Sequence, residues 1–304
     1  MFNPNHPNGL KTNSPASPTH SGSSPPAAEG YNANTPAPHG KPTSLLSWPG
    51  VFIIGTDTEV GKTFQACRLA RTLVERGVNV GVYKPVASGA PAIPASPEQS
   101  SPLDNPQHNN PAGSSLGNSD SLGSSLGNSD AEQLHHAARS RQPLSRICPQ
   151  SFVTAVAPPV AAVREGKAVD EQLLIDGAQW WLAHCDFLIV EGAGGALSPI
   201  SDSMVVLDLA QQLQLPLVLV AANRLGVVNH TLLTLEAVHA RQLPLHGIVL
   251  NTFSASDDSR TTLPADGTAV IGTDSDTSRH TNRELLQRFT TVPIVDSIEQ
   301  LLGP

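Results

Sequence analysis

The sequence lacks an excess of basic residues, an apolar run that could span a membrane and a signal-peptide core. It has no excess of basic residues, because 18 Lys and Arg are outnumbered by 26 Asp and Glu for a formal net charge of -8. A nucleic-acid partner would require a basic face, so none is expected. No apolar run approaches the ~18–20 residues that span a bilayer, and there is no signal-peptide core, so no membrane attachment is expected either. The three cysteines are odd in number and lack metal-ligand spacing, which indicates a reducing compartment and predicts a cytoplasmic protein.

Three stretches are dominated by Pro, Ser, Asn, Gly and Thr and contain few apolar side chains. Such segments cannot offset the entropy lost on ordering. We therefore predict a disordered leader over 1–46, followed by a single folded domain over 47–304. That domain carries low-complexity insertions at about 90–127 and about 254–282. The first insertion runs into a local duplication, 115–120 against 125–130, which places Asp120 and Asp130 in equivalent positions.

A glycine loop lies between a predicted strand and a predicted helix. The apolar run 51–54 precedes the loop, and a helix-periodic pattern follows it as far as Gly77. Small residues and a helix N-terminus allow backbone N–H groups to approach phosphates, while Lys62 reaches the outer phosphates and Thr63 joins the shell of a Mg²⁺ ion. The first glycine lies one residue further from Gly61-Lys62-Thr63 than in the standard pattern. The loop assigned to nucleotide binding comprises Gly55, Thr56, Asp57, Thr58, Glu59, Val60, Gly61, Lys62 and Thr63.

Polar residues also follow or end three further predicted strands. Lys84 and Ser88 follow the strand 78–83, Glu191 ends the strand 186–191 before a glycine loop, and Asn251 ends the strand 247–251. The strands are continuously apolar and alternate with helices, which predicts a doubly wound, mostly parallel α/β sheet with the three layers of a P-loop NTPase. Ligands bind such sheets at the carboxyl ends of the strands. Lys84 is a candidate second cation there, and Glu191 a candidate Walker-B-type carboxylate.

The segment that begins at Ser129 has the pattern of a helix start. Ser129 and Glu132 form a capping-box pair, which predicts a short helix to about 139. Asp130 in its first turn either favours the helix start or binds Mg²⁺. The duplicated Asp120 competes for the metal role, but no capping glutamate or helix follows it, so we favour Asp130. Further along, we expect 152–162 to be extended and 170–184 to be helical.

With these blocks assembled, the chain resembles the dethiobiotin synthetase family. The resemblance lies in 55–63 with the family's own extra loop residue, in 83–89, 128–131 and 191–195, and in Leu225-Gly226 with Asn229-His230. It implies an enzyme that uses ATP and Mg²⁺ to carboxylate 7,8-diaminononanoate with CO₂ or bicarbonate and to close the ring of dethiobiotin. The implied intermediates are a carbamate and a carbamic-phosphoric anhydride, and the implied assembly is a homodimer with the active site near the interface.

The resemblance also implies roles for individual residues. The implied catalytic residues are Lys62, Lys84 and Thr58, and the implied metal ligands are Thr63, Asp130 and Glu191. Beyond the P-loop, the implied nucleotide contacts are Glu191, Gly192, Ala193, Gly194 and, for the adenine, Asn251. The implied substrate contacts are Ser88, Leu225, Gly226 and Asn229, the last three across the subunit interface. One departure is Val160, which stands where the family usually has a histidine.

Two other classes of protein compete with this interpretation. A partitioning or positioning ATPase of the deviant P-loop group would carry an extra lysine early in the loop, where this chain has Thr56 and Asp57. A glutamine-dependent amidotransferase would need room for a glutaminase domain, which the chain lacks. The switch ATPase is the stronger of the two alternatives.

Overall fold

A computed structural model describes residues 44–89, 129–252 and 277–303, all of which belong to one compact unit. Most of the predicted leader and insertions therefore lies outside the described residues, as does Asp120. In chain order the strands and helices are β1 (Gly50–Gly55), α1 (Lys62–Glu75), β2 (Val80–Tyr83), β3 (Val86–Ser88), α2 (Asp130–Ala137), α3 (Leu144–Ile147), β4 (Gln150–Phe152), α4 (Pro158–Arg164), α5 (Glu171–Leu182), β5 (Phe187–Glu191), α6 (Val206–Leu213), β6 (Leu217–Ala222), α7 (Val227–Ala240), β7 (Leu245–Asn251), α8 (Asn282–Gln287) and β8 (Ile294–Val295). Short 3₁₀ helices cover Leu45–Ser47, Thr277–His280 and Ile298–Leu301.

In the described part of the chain, six strands form a parallel sheet in the order β2-β5-β1-β6-β7-β8. Every residue of β1, β2, β5 and β6 is buried, which is why these strands are continuously apolar in sequence. Helices cover the sheet, and β3 pairs with β4 in a separate parallel ribbon. The predicted doubly wound α/β fold is confirmed.

Strand order places the P-loop near the middle of the sheet. β1 pairs with β5 on one side and β6 on the other, so the loop after Gly55 lies beside the ends of both neighbours. Ile53 is opposite Glu191 in the first pairing, and Gly55 is opposite Val220 in the second. Because all six strands are parallel, their carboxyl ends and the loops that follow them share one edge.

Three sequence predictions differ from the structure at their boundaries or in type. The stretch 152–162 is not extended throughout, because β4 ends at Phe152 and α4 begins at Pro158. Proline suits the first turn of a helix, where its missing N–H has no partner to lose. Leu45, assigned to the leader, is fully buried, and residues 277–282, assigned to the second insertion, contribute a 3₁₀ helix and the start of α8.

In the residues described, no helix is long and apolar enough to cross a membrane.

Candidate active site

The P-loop wraps around the end of β1 and leads directly into α1. Gly61 has φ of +96°, a left-handed conformation that an L side chain rarely adopts, and it immediately precedes the first residue of α1. The side chain of Lys62 folds back over the loop and donates to the Asp57 carbonyl at 2.8 Å. Lys62 is poorly solvated, and this burial, followed by the charge of Lys84, lowers the pKa of Lys62 to about 8. An anionic ligand in the loop would restore the stabilisation of the charged Lys62 side chain that burial removes.

Lys84 lies at the centre of a second, connected group. Its Nζ donates to Glu191 Oε1 at 2.6 Å and to Asp130 Oδ2 at 2.9 Å, and the residue is only 4% exposed. Burial alone would lower the pKa of Lys84, but the charges of Glu191 and Asp130 raise it above its ordinary value. Lys84 therefore stays positively charged at neutral pH.

The two carboxylates beside Lys84 differ in their surroundings. Burial raises the pKa of Glu191, against the lowering effect of Lys84, and its Oε2 atom is buried without a hydrogen-bond partner. Lys84 lowers the pKa of Asp130, whose side chain is 43% exposed. The Thr63 hydroxyl completes the group by donating to Glu191 Oε1 at 2.8 Å. A hydroxyl and two carboxylates thus converge on one point of the sheet edge.

Asp130 reaches this group because α2 begins where the capping box predicts. The Ser129 N–H donates to Glu132 Oε2 at 2.7 Å, and the Glu132 N–H donates to Ser129 Oγ at 3.3 Å. These reciprocal bonds fix the first turn of α2. The capping-box prediction is therefore confirmed, and the turn presents Asp130 to Lys84.

These groups lie in a single cavity of about 710 Å³. Its volume is typical of a small-molecule site. The predicted site residues that line it are Thr58, Glu59, Gly61, Lys62, Thr63, Lys84, Ser88, Asp130, Glu191, Ala193 and Gly194. Sequence reasoning missed Ala87, Ala222, Asn223, Arg224 and Arg279, which also line it.

The oxygen donors of the cavity fit a magnesium ion. Mg²⁺ prefers oxygen ligands and is usually held by one or two carboxylates together with substrate phosphates. The unpartnered Oε2 of buried Glu191 has coordinating capacity that no protein group uses. Within the described ranges, no group of three or more His, Cys, Asp or Glu side chains is placed to hold a metal alone.

Several known proteins are similar to this chain in sequence. A family model described as an AAA domain matches residues 49–302. The ATP-dependent dethiobiotin synthetase BioD of Rhodopirellula baltica is 35% identical over 263 residues, covering 83% of this chain and 85% of that protein. The enzyme of the same name from Anaeromyxobacter sp. (strain Fw109-5) is 36% identical over 80% of this chain and 90% of its own length. The chain belongs to the ATP-dependent dethiobiotin synthetase family. Its members are enzymes, so the prediction of an enzyme is confirmed.

A solved structure is also similar in outline. The nucleotide-binding protein of Archaeoglobus fulgidus, in complex with ADP, is 14% identical and has a TM-score of 0.32, with 86% of this chain and 90% of that chain covered. Similarity at that level says nothing further about the site.

Several residues implied by the dethiobiotin synthetase resemblance lie outside the cavity. Gly55, Val60 and Gly192 are not among the lining residues, and Thr56 and Asp57 line a neighbouring groove. Leu225, Gly226 and Asn229 lie on the exposed surface around the start of α7, with Leu225 81% exposed. Val160, which replaces the family's histidine, lies on the outer side of α4.

Asn251 also does not line the cavity, and both ends of its amide are bonded within the protein. It accepts from Gln65 and donates to the Val60 carbonyl, behind the P-loop. The cavity wall beyond the P-loop comes from Asn223 at the end of β6, whose amide donates to the Arg279 carbonyl and accepts from Asn282. These bonds hold the segment that carries Arg279 against the sheet.

Proposed function

We propose that this enzyme carboxylates 7,8-diaminononanoate with CO₂ and closes the ring to dethiobiotin, with ATP converted to ADP and phosphate. The observation that carries the proposal is the second buried lysine, Lys84, in the same cavity as the P-loop lysine. One lysine is sufficient to hold triphosphate. A second one fits a reaction in which a carboxylated substrate must lie beside the phosphoryl group that it receives.

The proposed chemistry has three steps. One amine of the substrate adds to CO₂ and loses a proton, giving a carbamate. A carbamate oxygen attacks the γ-phosphorus of ATP and ADP leaves, giving a carbamic-phosphoric anhydride. The second amine then attacks the carbamate carbon and loses a proton, phosphate leaves with the bonding electrons, and the ring closes. No covalent enzyme intermediate is needed.

The described residues supply positive charge where the reaction is anionic. We assign Lys62 and the backbone N–H groups of the P-loop to the phosphates, and Lys84 to the carbamate and the transferred phosphoryl group. Lys84 is already held within 3 Å of two carboxylates, so the cavity keeps a cation there before any substrate binds. Thr58 and Ser88 line the same cavity and are assigned to the substrate side.

Thr63, Asp130 and Glu191 would hold Mg²⁺, which when bound neutralises charge on the phosphates. Their hydroxyl and carboxylate oxygens already meet around Lys84. Lys84 contacts both of these carboxylates, and we assign its ammonium group to the substrate.

We also propose a homodimer in which the loop 225–229 receives the substrate carboxylate of a neighbouring subunit. One support is the exposure of two apolar side chains, Leu225 just before α7 at 81% and Leu233 within α7 at 61%. The other is the N-terminus of α7, which favours an anion. A cytoplasmic location is proposed from the three free cysteines, of which Cys67 and Cys148 are buried as small apolar groups.

The function is tested by measuring phosphate release from MgATP and bicarbonate with and without 7,8-diaminononanoate. Release should depend on the diamine, and labelled bicarbonate should appear in the product. Lys84→Gln should abolish turnover, whereas Lys167→Gln, at a side chain 61% exposed and outside the cavity, should not change it. Phosphate release at the same rate with and without the diamine would instead favour the switch ATPase.

A further inference from the structure

The strand that ends just before Lys84 fits closely against α5. Tyr83, the last residue of β2, is fully buried, and its hydroxyl lies 3.2 and 3.0 Å from the backbone carbonyl oxygens of Leu173 and Leu174, to which it donates. Gly177 leaves room for this hydroxyl, because a Cβ at Gly177 would lie 2.2 Å from the hydroxyl oxygen. Tyr83 is therefore held against one turn of α5 by packing and by hydrogen bonding.

A second side chain of α5 acts on the residue that follows the strand. The indole N–H of Trp181 donates to the Arg146 carbonyl in α3 at 3.1 Å. The next carbonyl of α3, that of Ile147, accepts the backbone N–H of Lys84 at 2.8 Å. The buried ring of Trp181 also packs on β2 at Gly81, where a Cβ would lie 2.8 Å from its Cε3 atom. The Lys84 backbone is thus bonded to α3, and α3 is bonded to α5.

The side chain of Lys84 points away from α5. Successive side chains of an extended strand alternate between the two faces of a sheet. Gly81 and Tyr83 face α5, so Lys84 faces the opposite side. On that side its Nζ contacts Asp130 and Glu191. A rotation of β2 that moves Tyr83 on one face therefore moves the ammonium group of Lys84 on the other.

We infer that Tyr83 and Trp181 are positioning residues for Lys84. Among the described residues that line the cavity, none belongs to α5 or β2, so both side chains act through the backbone on either side of Lys84. Lys62, by contrast, is held by the Asp57 carbonyl within the P-loop. The inference rests on the proposed function, in which Lys84 lies beside the carbamate and the transferred phosphoryl group. Loss of either hydrogen bond should therefore slow the reaction and leave nucleotide binding intact.

The test separates turnover from nucleotide binding. Tyr83→Phe removes only the hydroxyl, and Trp181→Phe removes the indole N–H with part of the ring. Dethiobiotin formation is measured at saturating MgATP, bicarbonate and 7,8-diaminononanoate, and a non-hydrolysable ATP analogue is titrated calorimetrically with excess Mg²⁺. Displacement of a catalytic group by about 1 Å can slow a reaction about 100-fold. Because Lys84 keeps its two carboxylate partners, we expect a smaller displacement and a fall in kcat of about tenfold, with unchanged affinity for the analogue.

The matched control is Ser44→Ala. The Ser44 hydroxyl also donates to a backbone carbonyl, that of Leu302, but neither residue lines the cavity. This variant should have the kcat of the unmodified protein. Thermal melting establishes that each variant is folded at the assay temperature, and Trp181→Phe carries the test if Tyr83→Phe is not folded.

Two results would overturn the inference. One is a folded Tyr83→Phe or Trp181→Phe variant with the kcat of the unmodified protein. The other is a fall in kcat with an equal loss of affinity for the ATP analogue, because that pattern means a general distortion of the site. An unmodified protein that forms no dethiobiotin would refute the proposed function and the inference together, so the two failures are distinguishable.

Discussion

Replacement of Lys84 by methionine should destabilise the folded protein in a way that depends strongly on pH. Methionine fills a similar volume but removes the cation that Glu191 contacts at 2.6 Å. Breaking a buried ion pair by removing one partner typically costs about 3–5 kcal/mol. Asp130, at 43% exposure, remains partly solvated, so most of the cost falls on Glu191.

Protonation of Glu191 sets an upper limit to this cost. The ordinary pKa of a glutamate is 4.5, so placing a proton on it costs about 4 kcal/mol at pH 7.5 and about 0.7 kcal/mol at pH 5. Without Lys84 the folded-state pKa of Glu191 rises further above the unfolded value. The variant therefore keeps its stability below pH 4.5 and loses it as the pH rises toward the folded-state pKa.

Urea denaturation in EDTA, followed by the fluorescence of the three tryptophans, Trp48, Trp180 and Trp181, measures the effect. We expect Lys84→Met to lose about 3–4 kcal/mol relative to the unmodified protein at pH 7.5 and less than about 1 kcal/mol at pH 5. The double variant Lys84→Met with Glu191→Gln removes both charges and should recover most of the loss. Equal losses at the two pH values, or no loss at pH 7.5, would refute the assignment of a buried, charged pair.

Three further outcomes follow from the same geometry. Because the pKa of Lys62 is about 8, affinity for tripolyphosphate without Mg²⁺ should fall as the pH rises through 8, and titrations of Lys62→Met should lack that dependence. Ser129→Ala should cost about 1 kcal/mol in urea denaturation through loss of the helix cap, and an unchanged midpoint would contradict the capping role. Gly177→Ala should cost about 1–3 kcal/mol, because its Cβ would lie 2.2 Å from the hydroxyl oxygen of buried Tyr83, and a variant of normal stability would show that α5 can shift freely.

Local chemistry explains which parts of the site could be predicted. The P-loop lies between a continuously apolar strand and a helix, and Lys84 and Glu191 follow or end strands of the same kind, so the edge of the sheet that carries them was predictable. The capping box likewise located Asp130. These residues share a property: each is positioned by the few residues on either side of it.

The remaining parts depend on contacts between distant segments. Whether Asn251 faces the cavity or the back of the P-loop is decided by Gln65, 186 residues earlier in the chain. Arg279 enters the cavity because Asn223 and Asn282 hold its segment, and no motif marks those positions. The helix α4 was missed because a Pro-Pro pair reads as a helix breaker unless it occupies the first turn.

The strand order has a consequence for synthesis of the chain. β1 pairs only with β5 and β6 among the described strands, and β2 pairs only with β5. When the ribosome has made the P-loop, α1 and β2, neither strand has its partner, and both stay unpaired until residues 187–191 emerge. The apolar edges of β1 and β2 are therefore exposed while the whole segment between β2 and β5 is synthesised, when edge-to-edge aggregation is a hazard. The P-loop is therefore synthesised early, but the phosphate site can form only after β5 and β6 have been made.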